Sequence, residues 1–495
     1  MDFNTLTFLG FLALVTVLYY AVPKAAKPYF LLIASYAFYL YKPENAALVL
    51  LLIAATAVTW ASALAIQKLE SDWARRGFLL LALVVCLGSL FFYKYANFFA
   101  GIAADIGHLF GGSGTAAVFD LVAPLGLSYF TFQSLGYVID VYLGQTDAEK
   151  NPLKYALFVS FFPCIFTGPI ERKEHLMPQF EEPKAFDYNR VAGGVFRILW
   201  GYVKKMVIAD NIGIFVKAVY SAPEGQSGPA LLAASLLFSY QIYMDFSGCC
   251  DIAIGAGRMM GFELFENFNR PFAAKTYTEL WNRWHMSLTN WFRDYIFFPL
   301  SLANRGLPGF WGKLQGWFNV FIIFPISGLW HGASWGYVVW GVLNGLFLVF
   351  GKATAKKRRK LAKKNPLYKN EHVKNGIQRC CVYLLFTACI VFFAADLYGG
   401  SAAAIYGGML HGWGQLFTDF GGLAASFAAL GLSGKLLLML VPAGIVVGFV
   451  EARGAVADWI RSRPVALRWT LYYGLCLVLL FFGAFGQSAF IYQQY

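Results

Sequence analysis

His331 stands alone in GLWHGASWGYVVWGVLNG, residues 328–345, a run otherwise built of apolar and small side chains with a single Asn near its end. A neutral imidazole in such a run can take a proton near neutral pH without a large pKa shift. The chemistry this allows is general-base catalysis: deprotonation of a hydroxyl as it attacks a carbonyl carbon. The plain alternative is a buried histidine, hydrogen-bonded for helix packing. Gly328, Gly332, Ala333, Ser334 and Gly336 surround it. Small residues of this kind give either close backbone approach or room for a ligand.

Two more segments carry polar groups in apolar surroundings. YTELWNRWHMSLTNWFRDYIFFPL, residues 277–300, holds three Trp, two Arg, His285 and Asp294. It reads either as an amphipathic interfacial helix without a chemical role or as the wall of a polar cavity, with His285 a second catalytic group. SYQIYMDFSGCCDIAIGAG puts Gln241, Asp245 and Asp251 into an apolar stretch. The two aspartates are six residues apart and do not share a helical face. Buried hydrogen bonds holding a broken helix are the simpler account of them.

Composition sets the frame for these groups. The 495 residues are 58% hydrophobic, 18% aromatic and only 14% charged. A soluble chain would carry about 25% charged residues. Here apolar runs long enough to cross about 30 Å of hydrocarbon recur. The class is an all-α polytopic membrane protein, with about 12 transmembrane helices plus re-entrant or interfacial pieces. A formal net charge of +13 would suggest nucleic acid in a soluble protein. In this chain the Lys and Arg lie in short loops, where they set orientation and meet anionic lipid, so no nucleic-acid partner is expected. The eight cysteines are scattered and form no CxxC pair. No metal-ligand cluster and no Gly-rich phosphate loop appears, so no metal, bound cofactor or ATP-driven step is expected.

Charge also orients the spans. The first, residues 6–22, is too long and too acidic at its start for a cleavable signal. Lys24 and Lys27 follow it on the cytoplasmic side, so the N-terminus lies outside. Residues 29–41 and 46–66 return the chain to a cytoplasmic turn with Lys68, Arg75 and Arg76, and residues 78–99 run outward. Within 115–310, apolar pieces such as 152–166 are too short for simple spans and predict broken or re-entrant helices. Residues 351–376 carry ten Lys or Arg against one Glu and form a cytoplasmic loop. Residues 378–398 exit, 434–450 return, 451–468 are cytoplasmic with Arg453, Arg461, Arg463 and Arg468, and 469–486 exit again. The C-terminus is therefore also extracytoplasmic. One membrane domain results: N-terminal helices 1–110, a catalytic core 115–350, the basic loop 351–377, and C-terminal helices with an outer tail, 378–495. A bacterial cytoplasmic (inner) membrane suits this layout. The 21 residues from His331 to Lys352 span about 31 Å as one helix, which places His331 in the middle or outer half of the membrane.

WNRWHMSLTNWFRDYIFFPL, GLWHGASW and YQIYMDFSG together resemble the signature segments of the membrane-bound O-acyltransferase family. PLGLSYFTFQSLGYVIDVY and FFPCIFTGPIERKEHLMPQF are similar to its bacterial branch, and the alginate and peptidoglycan O-acetyltransferase type is the nearest subgroup. The resemblance runs from about residue 120 onward and departs at Leu302-Ala303-Asn304-Arg305, where the family has Gly-Gly-Asn-Arg, and at Asn282-Arg283, where it has an arginine pair. It implies a ring of tilted helices around a central funnel and tunnel. His331 matches the family's tunnel histidine, and His285 its second polar position. Asn282, Trp284, Arg293, Asp294, Asp245, Gln241, Ser334 and Trp335 become candidates for the substrate-lining wall. The donor would be a cytoplasmic thioester, acetyl-CoA or an acyl-carrier protein. The outer partner would be a secreted or anchored acetyltransferase of the SGNH serine type. The tail FIYQQY is similar to the tyrosine-containing ends of bacterial members, with Tyr492 at the matching position and Tyr495 as a second hydroxyl. There a tail tyrosine accepts the acyl group and passes it on; a phenol leaves more readily than an alcohol because its pKa is about 10. A teichoic acid D-alanyl transferase is the alternative within the family. From another class, a transporter or lipid flippase would also use broken helices and buried aspartates.

Overall fold

Apolar helices account for most of the computed structural model, which describes residues 1–43, 45–111, 115, 118–121, 124–303, 306, 309–452, 460, 462–486 and 490–491. Tyr492, Gln493, Tyr495, Asn304, Arg305, Arg453 and Arg461 lie outside the described residues. Two compact units divide the chain: residues 1–195 with 253–265, and 196–252 with 266–495.

The first unit begins with α1 (Leu6–Ala21), α2 (Lys27–Leu40), α3 (Asn45–Lys68), α4 (Asp72–Leu109), α5 (Leu127–Tyr142), α6 (Pro152–Ser160) and α7 (Lys173–Glu181). Caps set the starts: Thr5 accepts from the Phe8 N–H, and Asn151 accepts from Leu153 and Lys154 with Pro152 in the first turn. Its core includes a phenylalanine cluster in which Phe3 lies 4.6 Å from Phe8 and Phe38 lies 5.8 Å from Phe162. Glu171, fully buried as a side chain, accepts the Phe265 N–H at 2.7 Å and meets His175 Nδ1 at 2.7 Å. The His175 ring stacks on Phe265 with 4.0 Å between centroids.

The helix α8 (Tyr188–Tyr202) runs into a π-helical turn, Val203–Ala209, and then α9 (Asp210–Tyr220). Next come α10 (Gly228–Met259), α11 (Tyr277–Trp281), α12 (Met286–Phe292), a second π turn (Arg293–Phe297), α13 (Phe298–Ala303), α14 (Gly309–His331), α15 (Trp335–Lys364) and α16 (Glu371–Tyr398). Three short helices follow, α17 (Ala402–Gly408), α18 (Gln415–Thr418) and α19 (Phe420–Ala429), before α20 (Gly434–Glu451) and α21 (Val465–Phe482). Six helices among the described residues are long and apolar enough to cross a membrane: α3, α4, α15, α16, α20 and α21. The all-α membrane class read from composition holds.

Four local expectations are corrected. First, α10 is one unbroken helix of 32 residues, because its buried aspartates are paired by cations of the 197–205 segment and need no break. Second, the run through His331 is not one helix. It ends α14 at His331 and restarts at Trp335, with Ser334 in extended conformation as the cap of α15. Third, the basic stretch from Lys352 to Lys364 continues α15 as helix and is not loop. Fourth, residues 277–300 do not form a single amphipathic helix. They break at His285, whose φ of 45° and ψ of 54° are left-handed.

Candidate active site

The glycines around His331 serve helix approach rather than a ligand. A Cβ on Gly328 would collide with the Tyr337 carbonyl, one on Gly341 with Phe324, and one on Gly345 with Phe321. These positions let α14 and α15 pack backbone to backbone in an antiparallel hairpin. The hairpin's tip is held from α16. The Ser334 hydroxyl donates to Asp396, and the backbone N–H groups of Gly336 and Tyr337 face the same carboxylate. A carboxylate at the first turn of α15 is favoured by the unpaired amides and dipole there. Gly336 has to be glycine, since a Cβ would overlap the Asp396 carboxylate.

This tip fixes His331 at the last turn of α14. Its ring is buried in aromatic edges: Trp330 at 4.9 Å, Trp340 at 5.3 Å and Phe393 at 5.7 Å between centroids. His285 is buried as well, edge-on to Phe246 at 4.7 Å and to Trp330 at 5.9 Å. The structure therefore brings the two histidines onto one indole. Residues 332–334 make the turn between α14 and α15, and aromatic rings line the buried imidazole. An imidazole in such a place can accept a proton from a hydroxyl, and exclusion of water protects a reactive acyl group.

The other candidates divide. Trp284 is buried against Phe268 at 5.2 Å and Phe386 at 4.9 Å, and so supports the His285 turn. Ser334 belongs to the Asp396 contact. Trp335 is 61% exposed at the start of α15. Gln241 is buried and donates to the Tyr398 hydroxyl at 3.1 Å. Asn282 is exposed, and Arg293 is half-exposed, paired at 3.0 Å with its neighbour Asp294. Asn282 and Arg293 thus stand at a surface rather than in a buried wall.

Asp245 and Asp251 sit in an ion network that the sequence did not reveal. Arg197 contacts Asp251 at 3.0 Å and grips Glu266 with two nitrogens, at 2.6 and 2.5 Å. Lys204 reaches Asp251 at 2.9 Å and Glu451 at 2.6 Å. Lys205 reaches Asp245 at 2.6 Å and Asp210 at 2.8 Å. Charges this deeply buried persist only when paired. A polar cavity of about 240 Å³ opens on the network, lined by Arg197, Lys204, Asp251, Glu451, Asn267 and Met286 among others. Asn267 and Met286 touch the His285 turn, so the cavity reaches the candidate site.

The segment after α21 returns to the same place. Asn211 donates to the Phe482 carbonyl at 3.0 Å, and the Ala484 N–H donates to the Met206 carbonyl at 3.0 Å. Phe490 is fully buried with the Lys205 ammonium 4.8 Å from its ring centre, and the Ile491 N–H donates to Asp245 at 3.0 Å. Such a cation–ring contact is worth more when desolvated. Phe482 and Ala484 are thus seated at the first π turn and the start of α9, and Phe490 and Ile491 on Lys205 and Asp245.

An all-α membrane chain with a buried histidine set among aromatic rings fits the class of membrane-embedded enzymes. The membrane-bound O-acyltransferase family matches residues 146–394, which include both histidines, and the chain belongs to that family. It is 37% identical over 352 residues to a probable alginate O-acetylase of Pseudomonas aeruginosa, covering 71% of this chain and 65% of that protein. A probable alginate O-acetylase of Pseudomonas putida is 31% identical over 99% of both chains. A peptidoglycan O-acetyltransferase of Helicobacter pylori is 31% identical over 72% of each.

Proposed function

We propose that this membrane O-acyltransferase moves an acetyl group from a cytoplasmic thioester, acetyl-CoA, to the outer side for O-acetylation of an envelope or extracellular polysaccharide. The observation that carries the reading is the convergence of His331 and His285 on Trp330 inside a buried aromatic cage. The names of the relatives support acetyl as the acyl group. In this reading the donor enters through the polar cavity beside Asn267. The basic stretch 352–374 faces the cytoplasm of a bacterial inner membrane, and both termini lie toward the outer side, with Phe490 and Ile491 inserted into the protein.

His331 takes the proton of the attacking hydroxyl as the new C–O bond forms. The C–S bond breaks, and the proton passes to the departing thiolate, leaving free thiol and a neutral imidazole. The attacking hydroxyl is that of Tyr492. Support comes from its neighbours: Phe490 and Ile491 are buried and tied to Lys205 and Asp245. The phenol ester is then handed to an outer serine-type acetyltransferase of the SGNH kind, which delivers it to the polymer.

The purified protein in detergent with acetyl-CoA tests this by release of free thiol. His331→Ala is expected to remove about 10²–10⁴-fold of the rate with unchanged thermal stability. Tyr492→Phe is expected to abolish acetyl-protein formation while its aromatic ring stays. A rate within about threefold of wild type for His331→Ala ends the general-base role. Acetylated polymer at wild-type level from Tyr492→Phe cells ends the relay.

A further inference from the structure

The strained turn at His285 is clamped by a neighbouring segment. The Asn269 N–H donates to the Arg283 carbonyl at 2.9 Å, and the Met286 N–H donates to the Asn267 carbonyl at 2.9 Å. His285 lies between these two bonds in a left-handed conformation, which a non-glycine residue holds only when its surroundings impose it. The Asn267 side chain, 1% exposed, completes the clamp. Its Oδ1 lies 3.1 Å from the Ser287 backbone nitrogen, 2.9 Å from Ser287 Oγ and 3.1 Å from His285 Nδ1. Its Nδ2 donates to Cys250 Sγ at 3.5 Å.

These contacts determine where the imidazole proton sits. A backbone N–H can only donate, so the Asn267 atom facing Ser287 is the oxygen. An amide oxygen has no hydrogen to give. The His285 Nδ1 that faces it must therefore be the donor, and the neutral ring keeps its lone pair on Nε2. A histidine acting as an oxyanion donor would need the hydrogen on the nitrogen turned to the substrate.

We infer that Asn267 is a positioning residue that locks His285 as the Nδ1–H tautomer, so that Nε2 accepts a hydrogen from substrate and does not donate one to the oxyanion. The inference rests on the acyl-transfer reading for its catalytic meaning. It divides the work of the two histidines: His331 removes the proton, and His285 receives a hydrogen bond from an O–H or N–H group of a bound substrate. The oxyanion must then be met by other donors.

The first test does not need turnover. Protein labelled with ¹⁵N-histidine in lipid bilayers contains six histidines, and the His285 signals are assigned by their loss in His285→Gln. The expected spectrum has a protonated Nδ1 and a bare Nε2 for His285, giving way to mixed tautomers in Asn267→Ala. A protonated Nε2 in the wild type, or an unchanged tautomer in Asn267→Ala, overturns the inference. The second test reads thiol release from acetyl-CoA. Asn267→Ala should lower kcat by on the order of 10-fold, with KM held. Asn267→Asp should restore kcat and move the acidic limb of the pH–rate profile to higher pH, because a carboxylate beside Nδ1–H favours the imidazolium. Loss of kcat without rescue by Asn267→Asp, or rescue with no movement of that limb, assigns Asn267 a purely structural role and overturns the inference. A wild-type protein that releases no thiol at all defeats the transfer reading instead, and the spectrum still decides the tautomer.

Discussion

The imidazole of His331 meets the indole of Trp330 edge-on, with 4.9 Å between ring centroids, and the same indole receives His285 at 5.9 Å. The two candidate catalytic groups are thus placed through one rigid ring, although 46 residues separate them in the chain, from 285 to 331. Anything that lets the indole tilt moves both.

Trp330→Leu should therefore depress turnover strongly while keeping the helix intact. A displacement of about 1 Å at reacting groups costs as much as 10²-fold in rate. Trp330→Phe, which keeps an aromatic edge, should lose less. Steady-state thiol release from the two variants measures the difference, and equal rates for both would remove Trp330 from the positioning role.

The tip of the α14–α15 hairpin gives a second outcome. Gly336→Ala pushes a methyl into the Asp396 carboxylate, and overpacking of this kind costs roughly 1–3 kcal/mol. Asp396→Asn keeps the shape and weakens the charge-assisted bonds from Ser334 and the first turn of α15. Thermal unfolding in detergent should rank wild type above Asp396→Asn and Asp396→Asn above Gly336→Ala. Activity should fall in the same order, because His331 hangs from this turn.

Asp245 ties Lys205 to the Ile491 amide. Removing one partner of a buried pair typically costs about 3–5 kcal/mol. Asp245→Asn retains an acceptor for the amide and is the gentler probe. In a Tyr492→Cys background it should speed labelling by a membrane-impermeant maleimide severalfold. Unchanged labelling would mean that Phe490 and the upstream contacts hold the segment without Asp245.

His175 offers a pH signal outside the membrane-crossing helices. Its hydrogen bond to Glu171 holds its pKa above the usual value near 6.5, and burial raises the Glu171 carboxyl as well. Both groups bind protons more tightly in the folded state. The stability from His175 is therefore fully present below about pH 6.5 and lost as pH rises through its folded pKa. Melting temperatures of wild type and His175→Gln should differ most in acid and converge in alkali. A gap that widens with rising pH would contradict the assignment.

Much of this was legible in the sequence, and what was missed has a common cause. His331 announces itself by isolation in an apolar run, and the membrane class follows from composition alone. The partners of these groups are remote along the chain: Asn267 lies 18 residues before His285, Asp396 lies 62 after Ser334, and Lys205 lies 40 before Asp245. Periodicity carries no information about such pairs. One signal was available: Lys204-Lys205 inside GYVKKMVIAD is a double charge in an apolar stretch, and it calls for two acidic partners. Read with Asp245 and Asp251, it would have removed the need to break α10. The restart of the helix at Trp335 was hidden because glycine and serine near His331 fit close packing and ligand space equally well.

The first π turn has a consequence for how this protein can vary. Lys204 and Lys205 are adjacent, yet they serve acidic groups six positions apart on α10, and the Met206 carbonyl in the same turn accepts from Ala484. A π turn holds a surplus residue relative to an α-helix. Deleting one residue between 203 and 209 would remove that surplus and shift the side chains inside the turn relative to the helices on either side. Both ion pairs and the Ala484 bond to Met206 would be disturbed together. In this stretch the number of residues, as well as their identity, encodes the assembly.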